Sequence, residues 1–192
     1  DGNSMTADIE IPQTFAEASE LLTARPVGLV PFQIKGQQLA LQGAESGIDA
    51  AVPAVGDCYI GAILDLPTAD VPVTGSMLDS WGVEMSAVVA AAARNRSDVE
   101  ASVDAFEDAL VISGVPFAAA ALRDPAAVAG FRPEATPVIL VPDAGVVVLG
   151  YLEHPESLVS LARAGELALA NAPRTVSATP FVREGDAWAL FT

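Results

Sequence analysis

Two apolar runs, Thr136-Pro-Val-Ile-Leu-Val141 and Val146-Val-Val-Leu149, stand either side of Pro142-Asp143-Ala144-Gly145. Each run is short for a helix and lacks polar alternates, so it needs cover on both faces; Pro and Asp open a turn, and Gly145 is suited to a positive φ. A buried β-hairpin is expected here. The rest of the chain can supply the cover: 52% of its 192 residues are hydrophobic, 18% are charged and the mean hydropathy is +0.43. That composition excludes intrinsic disorder and fits one domain with a real core.

Other segments extend the pattern. Phe15 to Leu22, behind the potential N-cap Thr14, reads as a short helix that ends before Pro26. Val27 to Ile34 and Gln37 to Gln42, joined through Lys35-Gly36, read as a second hairpin, with Leu39 and Leu41 alternating against Gln38 and Gln42. Tyr59 to Leu66 is nearly continuously apolar and suits a central strand, whereas Gly43 to Asp57 and Pro67 to Thr74 read as loops. Glu84 to about Val103 is Ala-rich without Gly or Pro and predicts the longest helix. Ala109 to Ile112 suits a strand, and Phe117 to Leu122 and the segment after Asp124-Pro125 suit short helical turns. A last helix from Pro155 closes near Asn171 and Pro173, and a terminal hairpin runs from Val176 to Phe191. No βαβ rhythm or internal repeat occurs, so the expected class is α+β: a mostly antiparallel sheet of hairpins with helices packed on one face. Residues 5–192 are read as a single α+β domain, and residues 1–4, ahead of Met5, as an expression remnant.

Charge narrows the partners. Against 25 acidic residues stand 9 basic ones, for a formal net charge of -16. Such a chain has no basis for a broad cationic surface, which argues against nucleic acid and membrane as partners. One cysteine, Cys58, permits no intrachain disulfide, and this fits a reducing, cytoplasmic setting. With one histidine as well, the usual Cys/His zinc set is out of reach, and neither metal nor cofactor is expected.

No phosphate-cradling Gly-rich loop or nucleophile elbow occurs. A Cys58 nucleophile would need His154 as its base and a lowered thiol pKa, which neighbouring Asp57 opposes; a buried structural thiol is the favoured reading. His154 before Pro155 reads as a helix-start surface residue. Asp104, Glu107 and Asp108 would share one helical side, but without a calcium loop they read as a solvated acidic face. Arg94 and Arg96 read as members of local ion pairs with Asp98 and Glu100. If a pocket exists, its candidate residues are Asp57, Cys58, Asp65 and Asp143 with Arg94 or Arg132 as clamp, and His154 beside them.

Two stretches resemble the YtpQ-like family of uncharacterised bacterial proteins, a domain of unknown function. The first is Leu64-Asp-Leu66, then Trp81-Gly-Val83 and the Ala-rich helix ending Ala93-Arg-Asn95. The second runs from Thr136 to Asp143, through Val146 to Leu149, Leu158 to Leu161, Val176-Ser177 and Pro180-Phe181, to Glu184-Gly-Asp-Ala-Trp188. The resemblance covers roughly the last two thirds of the chain, implies an α+β fold and brings no catalytic residue with it.

The functional expectation is a non-catalytic protein-interaction domain working through an apolar patch, with a protein partner or a second copy in a homodimer. Val138, Leu140, Val147 and Leu149 are the interface candidates. A small enzyme or ligand-binding protein with a carboxylate-lined pocket is the first alternative, and an acidic surface docking a basic partner is the second.

Overall fold

A computed structural model describes residues 10–44, 47, 49–95 and 102–192. Within them, the apolar hairpin expected at 136–149 is the centre of the larger of two antiparallel sheets. Strands β7 (Pro137–Asp143) and β8 (Val146–Tyr151) pair there, and every residue of β7 is buried. The sheet has six strands in the order β10-β9-β7-β8-β6-β5, completed by β5 (Ser102–Phe106), β6 (Ala109–Ser113), β9 (Phe181–Glu184) and β10 (Ala187–Leu190).

The smaller sheet is built on β3 (Cys58–Leu66), whose apolar run is buried from Ile60 to Leu64. Strand β1 (Leu22–Gly28) lies along one edge, with Gly28 opposite Cys58 and Leu22 opposite Leu64. The other edge takes β2 (Ala51–Val55) and then β4 (Ala69–Pro72) in succession.

One apolar core joins the sheets. Ile139, Val141, Val147 and Leu149 of the larger sheet meet Leu22, Ala24, Ile60 and Leu64 of the smaller. The Ala-rich helices α4 (Met85–Arg94) and α5 (Val115–Arg123) pack into the same core through Val88, Ala91, Ala118 and Leu122. The opposite face of the larger sheet carries α6 (Pro155–Ala170), where Leu161 and Ala164 cover Val138, Leu140 and Val148. Helices therefore lie on both faces of that sheet and not on one as expected, because the apolar β7–β8 hairpin needs cover on each side. Helix α1 (Phe15–Ser19) starts with a capping box between Thr14 and Glu17. Helix α3 (Gly75–Trp81) ends at Gly82, which adopts a left-handed φ of 65°.

The α+β class and the antiparallel pairing are as expected, but several elements differ. The hairpin expected over 27–42 is instead the end of β1 followed by helix α2 (Leu29–Leu41). Pro31 falls in its first turn, where a missing N–H removes no intrahelical bond, and Lys35-Gly36 is mid-helix. No residue of α2 is buried, so the Leu/Gln alternation reports no sheet face. The long helix stops at Arg94; Val103 belongs to β5, and Val99 lies outside the described residues. The expected carboxylate face is thereby undone, with Asp104 on β5 and Glu107-Asp108 in the β5–β6 turn. Glu107 takes φ 52° there and pairs with Arg163 of α6 at 2.8 Å. The two expected loops hold β2 and β4. Residues 1–4, Arg96, Asp98 and Glu100 lie outside the described residues.

The four interface candidates are interior: Val138, Leu140, Val147 and Leu149 are at most 5% exposed. The sequence supplied enough core to cover both faces of this hairpin, so these strands offer no patch to a partner. The large apolar side chains that are exposed lie elsewhere, and three sit on α2: Val30 at 60%, Ile34 at 51% and Leu41 at 89%.

Candidate functional site

A cleft of about 430 Å³ opens where α2 leaves β1, bounded on its far side by the segment 173–176. Its size falls within the range of small-ligand sites. Strand β1 contributes Arg25, Pro26, Val27 and Gly28, helix α2 contributes Pro31, Phe32 and Lys35, and the opposite wall is Ala144 with Pro173, Arg174, Thr175 and Val176. Asp49 completes the lining. Three of the chain's nine basic residues thus meet at one cleft in a protein of net charge -16.

Local geometry explains how residues so distant in sequence converge. Gly28 has no side chain because the 175–176 backbone is in the way: a Cβ there would sit 2.6 Å from the Val176 carbonyl oxygen. The facing segment is held by two carboxylates. Asp143, at the end of β7, accepts the Gly145 N–H through Oδ1 and the Arg174 N–H through Oδ2, both at 2.8 Å. Asp57 accepts the Ser177 hydroxyl at 2.6 Å, while its carbonyl accepts the Leu29 N–H that opens α2. The β7–β8 turn is therefore set by the Asp143 side chain. Gly145 is not among the positive-φ glycines, contrary to the expected turn chemistry.

Within the cleft, Asp49 is the one carboxylate of the described lining. Both its oxygens accept from Lys35 Nζ, at 2.9 and 2.8 Å, and Oδ2 lies 3.4 Å from Arg25 Nη2. Burial holds the Arg25 guanidinium below its ordinary pKa; Asp49 and Asp70 oppose the shift, and the nearby Arg174 charge adds to it. Arg25 Nε–H is also buried without a hydrogen-bond partner among the described residues. Arg174 is exposed at the lip, and its guanidinium has no ion pair or hydrogen bond among the described residues. Gly28 caps α2 without a side chain, so the positive end of a 13-residue helix also borders the cleft. Phe32 of the wall is fixed by stacking on Tyr59, with centroids 6.1 Å apart and planes 11° from parallel.

The seven candidate pocket residues are dispersed. Asp57 and Asp143 lie behind the cleft and shape it without lining it. Cys58 is fully buried beside Asp57; burial first, and the Asp57 charge second, push its thiol up to about 12. Among the described residues its polar contact is the Tyr59 carbonyl at 3.9 Å. His154 sits at the start of α6 against Glu156, 3.5 Å away, and edge-on to Tyr151, so it makes no pair with Cys58. Arg132 covers the Tyr151 ring at 5.5 Å, and its N–H donates to the Tyr151 hydroxyl. Asp65 is exposed on β3 opposite Asp70, and Arg94 closes α4.

Arg25, Lys35, Asp49 and Arg174 were not singled out from the sequence. The available signal was the scarcity of basic residues, but positions 25, 35 and 174 become neighbours only in three dimensions. Among the described residues, no group of three or more His, Cys, Asp or Glu side chains is placed to hold a metal ion. No described helix is long and apolar enough to cross a membrane. No family model, curated protein or solved structure matches the chain.

Proposed function

We propose that the protein is a non-catalytic binding module that captures an anionic ligand in the cleft between α2 and the 173–176 segment. The carrying observation is the gathering of Arg25, Lys35 and Arg174 around one carboxylate in an otherwise strongly acidic chain. A surface of net negative charge repels anions in general, so a local cationic site selects where one binds. Guanidinium forks match carboxylate and phosphate oxygens, and apolar walls exclude the water that would screen them. The described lining contains neither thiol nor imidazole, its one hydroxyl side chain is Thr175, and its amine and carboxylate, Lys35 and Asp49, are tied to each other, which supports binding over nucleophilic chemistry. Kinship with the YtpQ-like proteins is part of the proposal and adds no residue to the site.

A second reading keeps a protein partner. Val30, Ile34 and Leu41 recur on one side of α2, turned away from the cleft-lining Pro31, Phe32 and Lys35, and offer an exposed apolar stripe.

Thermal unfolding in sodium phosphate against sodium chloride of equal ionic strength tests the first reading. A ligand that binds the folded state raises the midpoint by mass action. The expected result is a larger phosphate-specific rise for the unaltered protein than for Lys35→Gln or Arg174→Gln. Equal midpoints in both salts, or equal rises in all three proteins, would overturn it.

A further inference from the structure

Resting on the anion-binding reading, we infer that the cleft takes an organic phosphate monoester, its dianionic head held by Arg174 and Lys35 and its apolar body against Phe32, Pro173 and Val176. The exposed donors carry the first part. Lys35 and Arg174 are the two cations of the described lining that solvent reaches, while Arg25 is part-buried against Asp49. A dianionic head with three oxygens can pair with both at once, which a monoanion does less completely.

The placement of those charges favours one compact head over two separate carboxylates. Lys35 and Arg25 already share Asp49, and Arg174 lines the same cleft from its opposite wall. The cationic groups thus surround one spot. Arg174 brings a guanidinium whose donors have no partner among the described residues, with its main chain tied down by Asp143. A planar fork anchored in this way beside an ammonium suits the oxygens of a phosphate.

Volume carries the second part. About 430 Å³ is far more than a bare oxyanion fills, and apart from Thr175 the remaining wall is apolar, with Pro26, Val27, Pro31, Phe32, Pro173 and Val176 as its side chains beyond Gly28 and Ala144. These side chains have no hydrogen bonds to offer, so they suit a ring or short hydrocarbon.

Isothermal titration of the full chain at constant ionic strength separates the alternatives. The probes are phenyl phosphate, its monoanionic methyl ester, inorganic phosphate and phthalate. Phenyl phosphate is expected to bind about tenfold or more tightly than each of the others, and Arg174→Gln to remove about tenfold of that affinity. If the ester and phenyl phosphate bind alike, or phthalate binds tightest, with Arg174→Gln weakening every probe, the monoester assignment falls and the anion site stands. If inorganic phosphate matches phenyl phosphate, the apolar subsite falls. If no probe binds, both the inference and the reading beneath it are overturned.

Discussion

Asp143 shows how one side chain links the core to the cleft. Its two oxygens each accept a backbone N–H, one from Gly145 in the β7–β8 turn and one from Arg174. Asparagine offers one carbonyl oxygen in their place, so Asp143→Asn should leave one N–H without its partner. Losing such a part-buried bond costs about 1–3 kcal/mol, which urea unfolding would read, and Arg174 should lose its anchorage so that anion affinity falls with it. An unchanged unfolding midpoint and affinity would refute this role. Cys58 makes the opposite case, a chemically notable residue with a structural part. Its thiol is raised from an ordinary 9.0 to about 12, so the unfolded chain ionises first. Stability attributable to this group is complete below pH 9.0 and is lost as pH climbs toward about 12. The native thiol should accordingly resist a disulfide reagent at pH 8 and react once the chain is unfolded; fast reaction in the native state would contradict its burial. The sequence disclosed the chemical type of both residues but not their surroundings, because a carboxylate's hydrogen-bond partners depend on a segment about thirty positions away.

At the scale of elements, legibility followed burial. Strands β3, β7 and β8 and helix α6 were readable because packing enforces their apolar patterns on both faces or along one stripe. Helix α2 reads as a hairpin in the sequence because it buries no residue, which leaves its pattern unconstrained by a core. β2 and β4 escaped notice because they are short, partly exposed strands sharing one edge of β3, and both contain proline. The same dependence on packing gives a test within α6. A Cβ added at Gly165 would overlap Leu140 Cδ2, and Leu140 is itself buried beneath the helix. Gly165→Ala gains about 1 kcal/mol of helix propensity. Overpacking costs about 1–3 kcal/mol, and a clash this close should place the variant toward the upper end. The expected result is net destabilisation by chemical denaturation; net stabilisation would mean that α6 does not sit so close to β7.

For the whole molecule, a net charge of -16 and a local cationic cleft place two properties under opposite salt dependence. Self-repulsion destabilises the folded state and is screened by salt, so the ligand-free melting temperature should rise between low ionic strength and about 0.5 M sodium chloride. The same screening should weaken anion binding over that range. A melting temperature that falls, or an affinity that does not, would oppose this division of charge. The α+β class could be read from the order of apolar runs, whereas the cleft could not. Its walls come from β1, α2, Asp49, the β7–β8 turn and the segment after α6, and it arises where Gly28 lets the 175–176 backbone approach.

The central claim is that anions bind at this cleft, and two-dimensional amide NMR during a titration with inorganic phosphate at constant ionic strength tests it most directly. The expected shifts cluster at Val27, Gly28, Phe32, Arg174, Thr175 and Val176, saturate together, and need about tenfold more phosphate in Arg174→Gln. Shifts centred on Arg132 or Arg183 instead, or none at the cleft, would contradict it.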